Sequence, residues 1–355
     1  MARLEVITMI ETFLDRPVHK QRLFSMHYLV IAILFLSCLV SCAPVTQQKK
    51  VQEFSEDLLS VTFPTEKEGW ACGRWGTVLR TGDGGRTWTP QASGTDNTLC
   101  SIYFVDSRNG WAVGEEETII HTTDGGKAWE KQKSPVPFSL MKVHFVTPQK
   151  GWIVGERTHV LFTVDGGKTW NVQFKDEDFI LKSISFCDAL NGWAVGEYGF
   201  IYHTKDGGVT WKNEAGFFDI SEKTGEVVAG TFLFDVVAVN PETAWAVGID
   251  GYVTRTIDGG RTWKEVKTGA PKTQLFCISS NLAGTLLMGG NSTFLISTDN
   301  GKTWENPACE PPITYGWLYG LAPRGSAGFV AVGWEGSIYL NDGKNPLASW
   351  QRARI

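Results

Sequence analysis

The chain has 355 residues, 20 % of them charged, and a formal net charge of −5 at pH 7. This mild acidity, in a sequence without a basic stripe, argues against nucleic-acid binding. Five cysteines follow residue 42, and an odd number argues against a disulfide framework, so most are expected to be small core residues. The length is ample for one domain that buries a core.

The first element in chain order is an apolar stretch at residues 28–40. Thirteen mostly apolar residues are too few to span a bilayer but suit the hydrophobic region of a signal peptide, with Lys20 and Arg22 as the positive flank. The stretch ends in Leu39-Val40-Ser41-Cys42, which resembles a bacterial lipobox with Cys42 as the lipidated residue. An ordinary secretory signal with a chance cysteine is the alternative.

These features divide the chain into three parts. We predict a lipoprotein signal peptide at residues 1–41, starting at Met1 or Met26, then a polar tether at 42–54 and a single domain at 55–355. By resemblance to lipoproteins, several acyl chains on the cysteine would anchor the protein stably where one chain is marginal. The alanine that follows favours the outer membrane, so we expect a location in the cell envelope, periplasmic or surface-exposed.

The rest of the chain repeats a turn of the form [T/S]-x-D-x-G-x-[T/A]-W. Six copies occur, and four of the five spacings between their tryptophans are 41 residues, which is typical of a repeat architecture. We expect each aspartate to accept backbone N–H bonds and the glycine two positions on to adopt a positive φ. The structural aspartates are Asp83, Asp124, Asp165, Asp206, Asp258 and Asp299, and the tryptophans are Trp88, Trp129, Trp170, Trp211, Trp263 and Trp304.

A calcium loop is the alternative interpretation of these turns. Each copy offers one carboxylate where Ca²⁺ needs six or more oxygens, so we predict structural turns and no metal. His121 and His203 hold the same position in different units and do not converge on a metal. Because the sequence has no G-x-S-x-G, H-E-x-x-H or P-loop motif, we predict no cofactor and no enzymatic activity.

Each unit contains four short strands. In the second unit these are an apolar run at Ser101–Val105, the segment Gly110–Gly114, an alternating run at Thr118–His121, and the residues after the turn. Four-stranded units at this period predict propeller blades. A decayed seventh unit ends the chain, with Asn341–Lys344 in place of the aspartate turn. We therefore predict an all-β fold, a seven-bladed β-propeller of ~41-residue four-stranded repeats.

Between the second and third strands the units diverge. In this strand order, those turns lie on the face opposite the aspartate turns, where exposed aromatic and charged residues suit binding. Trp75 and Trp334 stand out because the first and last units become neighbours on ring closure. The alternative for any single glutamate is that it lies on the surface and only contributes to solubility. The predicted partner-binding face comprises Arg74, Trp75, Glu116, Glu156, Arg157, Glu197, Tyr198, Asp250, Trp334 and Glu335.

The connection after the fourth unit is longer than the others. Between Lys212 and Asp235 it carries about eleven extra residues, including Phe217 and Phe218. Long, partly apolar insertions are often functional loops, and this one opens on the divergent face. A loop that only packs over a blade is the alternative.

The turns resemble the Asp-box (BNR) repeats of sialidases, some other glycan hydrolases and sortilin-type receptors. The whole unit, with Gly110-Trp111-Ala112-Val113-Gly114 followed by D-G-G-[KR]-T-W, resembles the photosystem II stability/assembly-factor family of cyanobacteria and plastids and its bacterial relatives. That resemblance covers about residues 55–355. It implies a non-enzymatic propeller that holds newly made membrane-protein subunits and cofactors. Relatives in phototrophs carry an arginine-rich face, whereas the turns here are glutamate-rich.

We therefore predict a lipid-anchored, non-catalytic scaffold, acting as a monomer, that binds membrane or envelope proteins and assists assembly or stability of a membrane protein complex. A glycan-binding adhesin or lectin is the first alternative, with Trp75 and Trp334 as stacking platforms. The second is a sialidase-like or paired-carboxylate glycoside hydrolase. Its candidate carboxylates are Glu116, Glu156, Glu197 and Asp250.

Overall fold

The computed structural model describes residues 55–221, 224–281, 283–313, 316–325, 328–341, 345–353 and 355. The predicted signal peptide, the tether with Cys42, and residues 342–344 of the decayed turn lie outside the described residues. Within the part that is described, no helix is both long and apolar enough to cross a membrane.

Seven sheets follow one another along the chain and form a seven-bladed β-propeller, so the predicted fold is confirmed. Blades 1 and 2 contain β1 (Leu58–Thr62), β2 (Gly69–Gly73), β3 (Val78–Thr81), β4 (Thr89–Gln91), β5 (Leu99–Phe104), β6 (Gly110–Gly114), β7 (Ile119–Thr122) and β8 (Glu130–Lys131). Blades 3 and 4 contain β9 (Leu140–Phe145), β10 (Gly151–Gly155), β11 (Val160–Thr163), β12 (Asn171–Phe174), β13 (Leu181–Phe186), β14 (Gly192–Gly196), β15 (Ile201–Thr204) and β16 (Lys212–Ala215).

A separate hairpin interrupts the ring after blade 4; it consists of β17 (Phe218–Ile220) and β18 (Val227–Ala229). Blades 5 and 6 contain β19 (Leu233–Asn240), β20 (Thr243–Gly248), β21 (Val253–Thr256), β22 (Lys264–Glu265), β23 (Leu275–Ser280), β24 (Leu286–Gly290) and β25 (Thr293–Ser297). An isolated bridge between Ile296 and Glu305 takes the place of a fourth strand in blade 6. Blade 7 contains β26 (Cys309–Glu310), β27 (Leu318–Arg324), β28 (Gly328–Gly333), β29 (Ile338–Leu340) and β30 (Trp350–Arg352), with β26 parallel to β30.

The second strand of each blade supplies the core. In β6 all five residues are buried, and a Cβ on Gly114 would lie 1.9 Å from the Thr98 carbonyl oxygen, so only glycine fits there. The Trp111 ring stacks on Phe145 of the next blade with centroids 3.5 Å apart, and its Nε1 donates to the Gly166 carbonyl oxygen (3.2 Å). Successive blades are thus joined by the tryptophans of their second strands.

The ring closes by apolar packing between blades 7 and 1, which share no strand. Leu58 and Leu79 of blade 1 lie in one buried cluster with Val330, Val332 and Ile338 of blade 7. Burial of aliphatic side chains on both sides excludes water from this junction and stabilises the closed ring.

The aspartate turns have the hydrogen bonds that their residue types led us to expect. Asp165 Oδ1 accepts the Thr169 N–H (2.9 Å), and its Oδ2 accepts the Thr169 hydroxyl (2.6 Å). The Thr163 hydroxyl donates to the same carboxylate and accepts the Gly167 N–H. These bonds to the ionised carboxylate lower the pKa of Asp165 to about 2. The tryptophans lie just before the fourth strands, Trp88 and Trp170 buried and the other four half-buried.

Candidate partner-binding face

Backbone hydrogen bonds define the two faces of the ring. On one face, the aspartate turns of blades 1 to 5 bond to the turn between the first two strands, as from the Gly125 N–H to the Arg108 carbonyl oxygen. On the other face, the turn between the second and third strands bonds to the residue before the first strand, as from the Glu115 N–H to the Thr98 carbonyl oxygen. We call these the Asp-turn face and the tip face, and each turn on the latter a tip.

Every tip contains a non-glycine residue with a positive φ at the same position. An L-amino acid in this left-handed region is disfavoured by roughly 1–2 kcal/mol, yet none of the seven is glycine. Backbone bonds within the tip hold the conformation, as from the Thr77 N–H to the Arg74 carbonyl oxygen (3.1 Å). The seven residues are Trp75, Glu116, Arg157, Tyr198, Asp250, Ser292 and Glu335, with φ between 48° and 57°.

Asp57 connects the tips of blades 7 and 1. Its carboxylate pairs with Arg74 Nε (2.9 Å) and accepts the Glu335 N–H (3.0 Å). Trp75 beside the first contact is 71 % exposed, and Trp334 beside the second is 42 % exposed. The two predicted tryptophans therefore belong to adjoining tips and lack a role in the core. Sequence reasoning missed Asp57, because nothing in its local pattern marks it as a bridge.

Other predicted residues make local contacts at their own tips. The Arg157 guanidinium lies 4.4 Å from the Phe138 ring centroid and 3.7 Å from an Asp178 oxygen. Glu197 accepts the Ile180 N–H (3.0 Å), so it helps to fix the approach to blade 4. Glu116 lies 3.4 Å from the Asn97 side-chain amide in a similar arrangement. The structure spreads the predicted carboxylates over separate blades.

The insertion packs on the tip of blade 4 at its base and is exposed beyond it. Because β16 completes blade 4, the extra segment spans residues 216–232. The Phe218 ring contacts Tyr198 (4.7 Å) and Phe179 (5.5 Å). Phe217 is 52 % exposed and Val227 60 %. The loop therefore covers part of a blade and also presents apolar side chains to solvent, and a functional role for it stays a prediction.

All seven first strands carry a β-bulge, which sequence reasoning also missed. The residue after the first strand position has no partner in the ladder, so two consecutive side chains are directed away from the blade core. The seven unpaired residues form the mouth of the central channel on the tip face and are all half-buried. They are Leu59, Cys100, Met141, Lys182, Phe234, Phe276 and Tyr319.

A polar layer lies directly below this mouth. Lys142 Nζ of blade 3 is 3.2 Å from Asp235 Oδ1 of blade 5, and that carboxylate also accepts the Ser183 hydroxyl and the Ile278 N–H. This layer lines a partly open cavity of about 320 Å³ in the channel. Burial and the Lys142 charge lower the pKa of His144, which lines this cavity, to about 4.

The histidines His203 and His121 pack inside their own blades. His203 Nδ1 lies 2.9 Å from a Glu214 oxygen inside the blade, and its ring stacks on Trp193. The equivalent His121 stacks on Trp111. All five described cysteines are free thiols, and burial raises the pKa of Cys100 to about 11. Across the described residues, His, Cys, Asp and Glu form no cluster of three or more suited to a metal.

The fold and its repeated turns define a class, the seven-bladed β-propellers built from Asp-box repeats. The family model for "Photosynthesis system II assembly factor YCF48" matches residues 43–134, 128–215 and 220–314. Because these matches span most of the sequence, the chain belongs to this family, as the resemblance of its repeats predicted. No protein of curated function matches the chain significantly.

Solved structures share the fold at low identity. A structure described as YCF48 bound to D1 peptide is 19 % identical, with a TM-score of 0.64, and the match covers 81 % of this chain and 91 % of that one. YCF48 from Cyanidioschyzon merolae is 20 % identical, with a TM-score of 0.65 and coverages of 82 % and 97 %. The GH74 xyloglucanase from Xanthomonas campestris also has a TM-score of 0.65. It is 12 % identical, and the match covers 85 % of this chain and 55 % of that one. The TM-score therefore does not distinguish the YCF48 structures from the GH74 hydrolase, whereas the family model that matches the chain is that of YCF48.

Proposed function

We propose that this protein is a lipid-anchored, non-catalytic scaffold of the cell envelope. It binds proteins through the tip face and assists the assembly or stability of a membrane protein complex. The observation that carries the proposal is a tip face whose exposed tryptophans have no role in the core, on a chain of the assembly-factor family. The related structure with a bound D1 peptide supports protein binding as the mode of action.

The exposed tryptophans supply the expected binding energy. A tryptophan buries roughly 150–250 Å² when it is covered, and this residue type is enriched among the positions that dominate interfaces. Trp75 and Trp334 lie on tips that Asp57 holds in place. Binding a partner would therefore cost little backbone conformational entropy at these tips. A partner that covers both tryptophans would bind two apolar side chains that are already held in position, with the carboxylates of Asp57 and Glu335 beside them.

The proposed anchor would tie the propeller to a membrane through a short tether. Asp57, near the start of the described chain, lies on the tip face because it contacts the tips of blades 1 and 7. The 13 residues of 42–54 span at most about 45 Å when fully extended. A lipidated Cys42 would therefore keep the start of the propeller within about that distance of the bilayer. Metabolic labelling with an alkyne fatty acid should mark the wild type and leave Cys42→Ser unlabelled; labelling of both would contradict the anchor.

The scaffold proposal is tested by crosslinking the wild-type protein in its own membranes, solubilising them in detergent and identifying co-purified proteins by mass spectrometry. We expect a membrane protein at near-stoichiometric yield. Recovery of the propeller alone, at crosslinker doses that capture known complexes in the same membranes, would refute the proposal.

Glycan binding is the second candidate, favoured by the exposure of Trp75 and Trp334, since aromatic faces stack on sugars. The fold shared with GH74 enzymes adds a hydrolase version of this candidate. A glycan array and a reducing-sugar assay on xyloglucan separate both from the scaffold. Sugar binding or turnover that disappears in the Trp75→Ala, Trp334→Ala double variant would replace the scaffold proposal.

A further inference from the structure

The channel mouth on the tip face is an apolar surface that includes four aromatic rings. Phe276 of blade 6 lies 5.4 Å from Phe234 of blade 5 and 5.4 Å from Tyr319 of blade 7, between ring centroids. Trp317, just before β27, lies 6.1 Å from Phe276 and 5.9 Å from Tyr319, and it remains 43 % exposed. Contiguous aromatic surface that is open to solvent in a folded ring marks an interaction site.

The other side of the mouth is also mainly apolar. Leu59, Cys100 and Met141 occupy the equivalent bulge positions of blades 1 to 3, and Lys182 of blade 4 is the one cation among the seven. The Lys142–Asp235 pair lies one residue further along the strands. A ligand that enters from the tip face therefore meets an apolar cup with a polar floor, which favours docking over threading through the channel.

The rim around this cup is acidic. The tip residues include seven carboxylates, Glu115, Glu116, Glu117, Glu156, Glu197, Asp250 and Glu335, against the two arginines Arg74 and Arg157. Burial, and after it the Asp57 charge, raises the pKa of Tyr319 to about 12, and the Arg74 charge opposes this shift. Charges of one sign around a low-dielectric depression attract a ligand of the opposite sign.

We propose that this cup receives an apolar segment of a protein partner whose flanking residues are lysines and arginines. The inference rests on the proposed scaffold function and specifies the chemistry of its partner. The apolar part of the segment covers Phe234, Phe276, Trp317 and Tyr319, and its basic flanks lie against the acidic rim. The aromatic rings provide affinity, while the carboxylates provide orientation and the rate of association.

The test places a photo-crosslinking residue in the cup of the full-length protein. Trp317→p-benzoyl-phenylalanine is the probe, and the same replacement at Val209, 77 % exposed on the Asp-turn face, is the matched control. We expect the Trp317 probe to yield a partner peptide with an apolar stretch and flanking basic residues, and the Val209 probe to yield none. A crosslinked peptide that is acidic or polar, a crosslink to lipid, or no crosslink would overturn the inference.

A pair of double variants separates this inference from the proposed function. Phe276→Ala with Tyr319→Ala empties the cup, whereas Trp75→Ala with Trp334→Ala changes only the rim. We expect the cup variant to lower partner recovery about tenfold or more, and 0.5 M NaCl to weaken the wild-type interaction because exposed charges are screened. Full partner recovery with the cup variant, together with loss of the partner in the rim variant, would refute the inference about the cup but not the proposed scaffold function. Circular dichroism verifies that both variants fold.

Discussion

The Asp-turn face and the tip face are built by the same repeats but differ in what the repeats specify. On the Asp-turn face, side chains make the hydrogen bonds, so aspartate, threonine and glycine recur in unit after unit. On the tip face, backbone groups bond to each other, as between the Trp334 N–H and the Trp317 carbonyl oxygen. The backbone conformation recurs there, while the side chain is free to differ in every blade.

This difference predicts opposite outcomes for two kinds of tryptophan, and the largest effect concerns Trp111. Trp111→Ala should lower the free energy of unfolding by about 3–5 kcal/mol, because a buried ring stacked between blades leaves a cavity. Urea unfolding followed by circular dichroism measures the loss. Trp75→Ala is the control and should change stability by about 0.5 kcal/mol or less. Equal losses in the two variants would contradict the division of roles.

Substitutions of and by glycine should change the stability by an intermediate amount, with opposite signs on the two faces. Gly125→Ala on the Asp-turn face should cost about 1–2 kcal/mol, since its φ is 76° and a Cβ would lie 2.9 Å from the Ser107 carbonyl oxygen. Glu335→Gly on the tip face should instead be neutral or stabilise by about 1 kcal/mol, because it relieves a positive φ. Urea midpoints of the two variants measure both signs. Destabilisation by Glu335→Gly would show that this tip side chain supports the fold.

The smallest expected effect is a pH dependence confined to the Asp-turn face. Bonds from Thr169 and Thr163 lower the pKa of Asp165 to about 2, below its usual value near 3.8. The ionised carboxylate therefore stabilises the fold above about pH 4, and this contribution is lost as the pH falls toward 2. Asp165→Asn should lower Tm by a few degrees at pH 7 and much less at pH 2.

Thermal unfolding at the two pH values checks this prediction, with Trp75→Ala as the tip-face control. The difference in Tm between the wild type and the Trp75→Ala control should be the same at pH 7 and at pH 2. An Asp165→Asn deficit that persists unchanged at pH 2 would show that the carboxylate charge contributes nothing to the turn.

The fold was predictable from the sequence because the period and the residues that enforce it are local. The residue types of Gly110–Gly114 favour a strand and those around Asp124 favour a turn, without help from distant contacts. The remaining blades are predicted because the same pattern repeats. The exposure of Trp75 was predictable for the same reason, since its position in the repeat lies outside the core pattern.

The rest of the site depends on contacts between residues far apart in the chain. Asp57 acquires its role only when blade 7 meets blade 1, some 278 residues later. The bulges that place Phe276 and Tyr319 in the channel mouth cannot be recognised from the alternation of polar and apolar residues in strands of six or seven residues. Sequence patterns therefore predicted which residues lie at the tips, but not the aromatic rings that meet at the channel mouth.

The central claim is that partners bind the tip face and not the Asp-turn face. The most direct test compares the recovery of crosslinked partner, by quantitative mass spectrometry, for two matched double variants. Trp75→Ala with Trp334→Ala removes exposed side chains from the tip face, and Val209→Ala with Ile257→Ala removes exposed side chains from the Asp-turn face. We expect a loss of about tenfold or more for the first pair and wild-type recovery for the second. Loss with the second pair, or full recovery with the first, would contradict this claim.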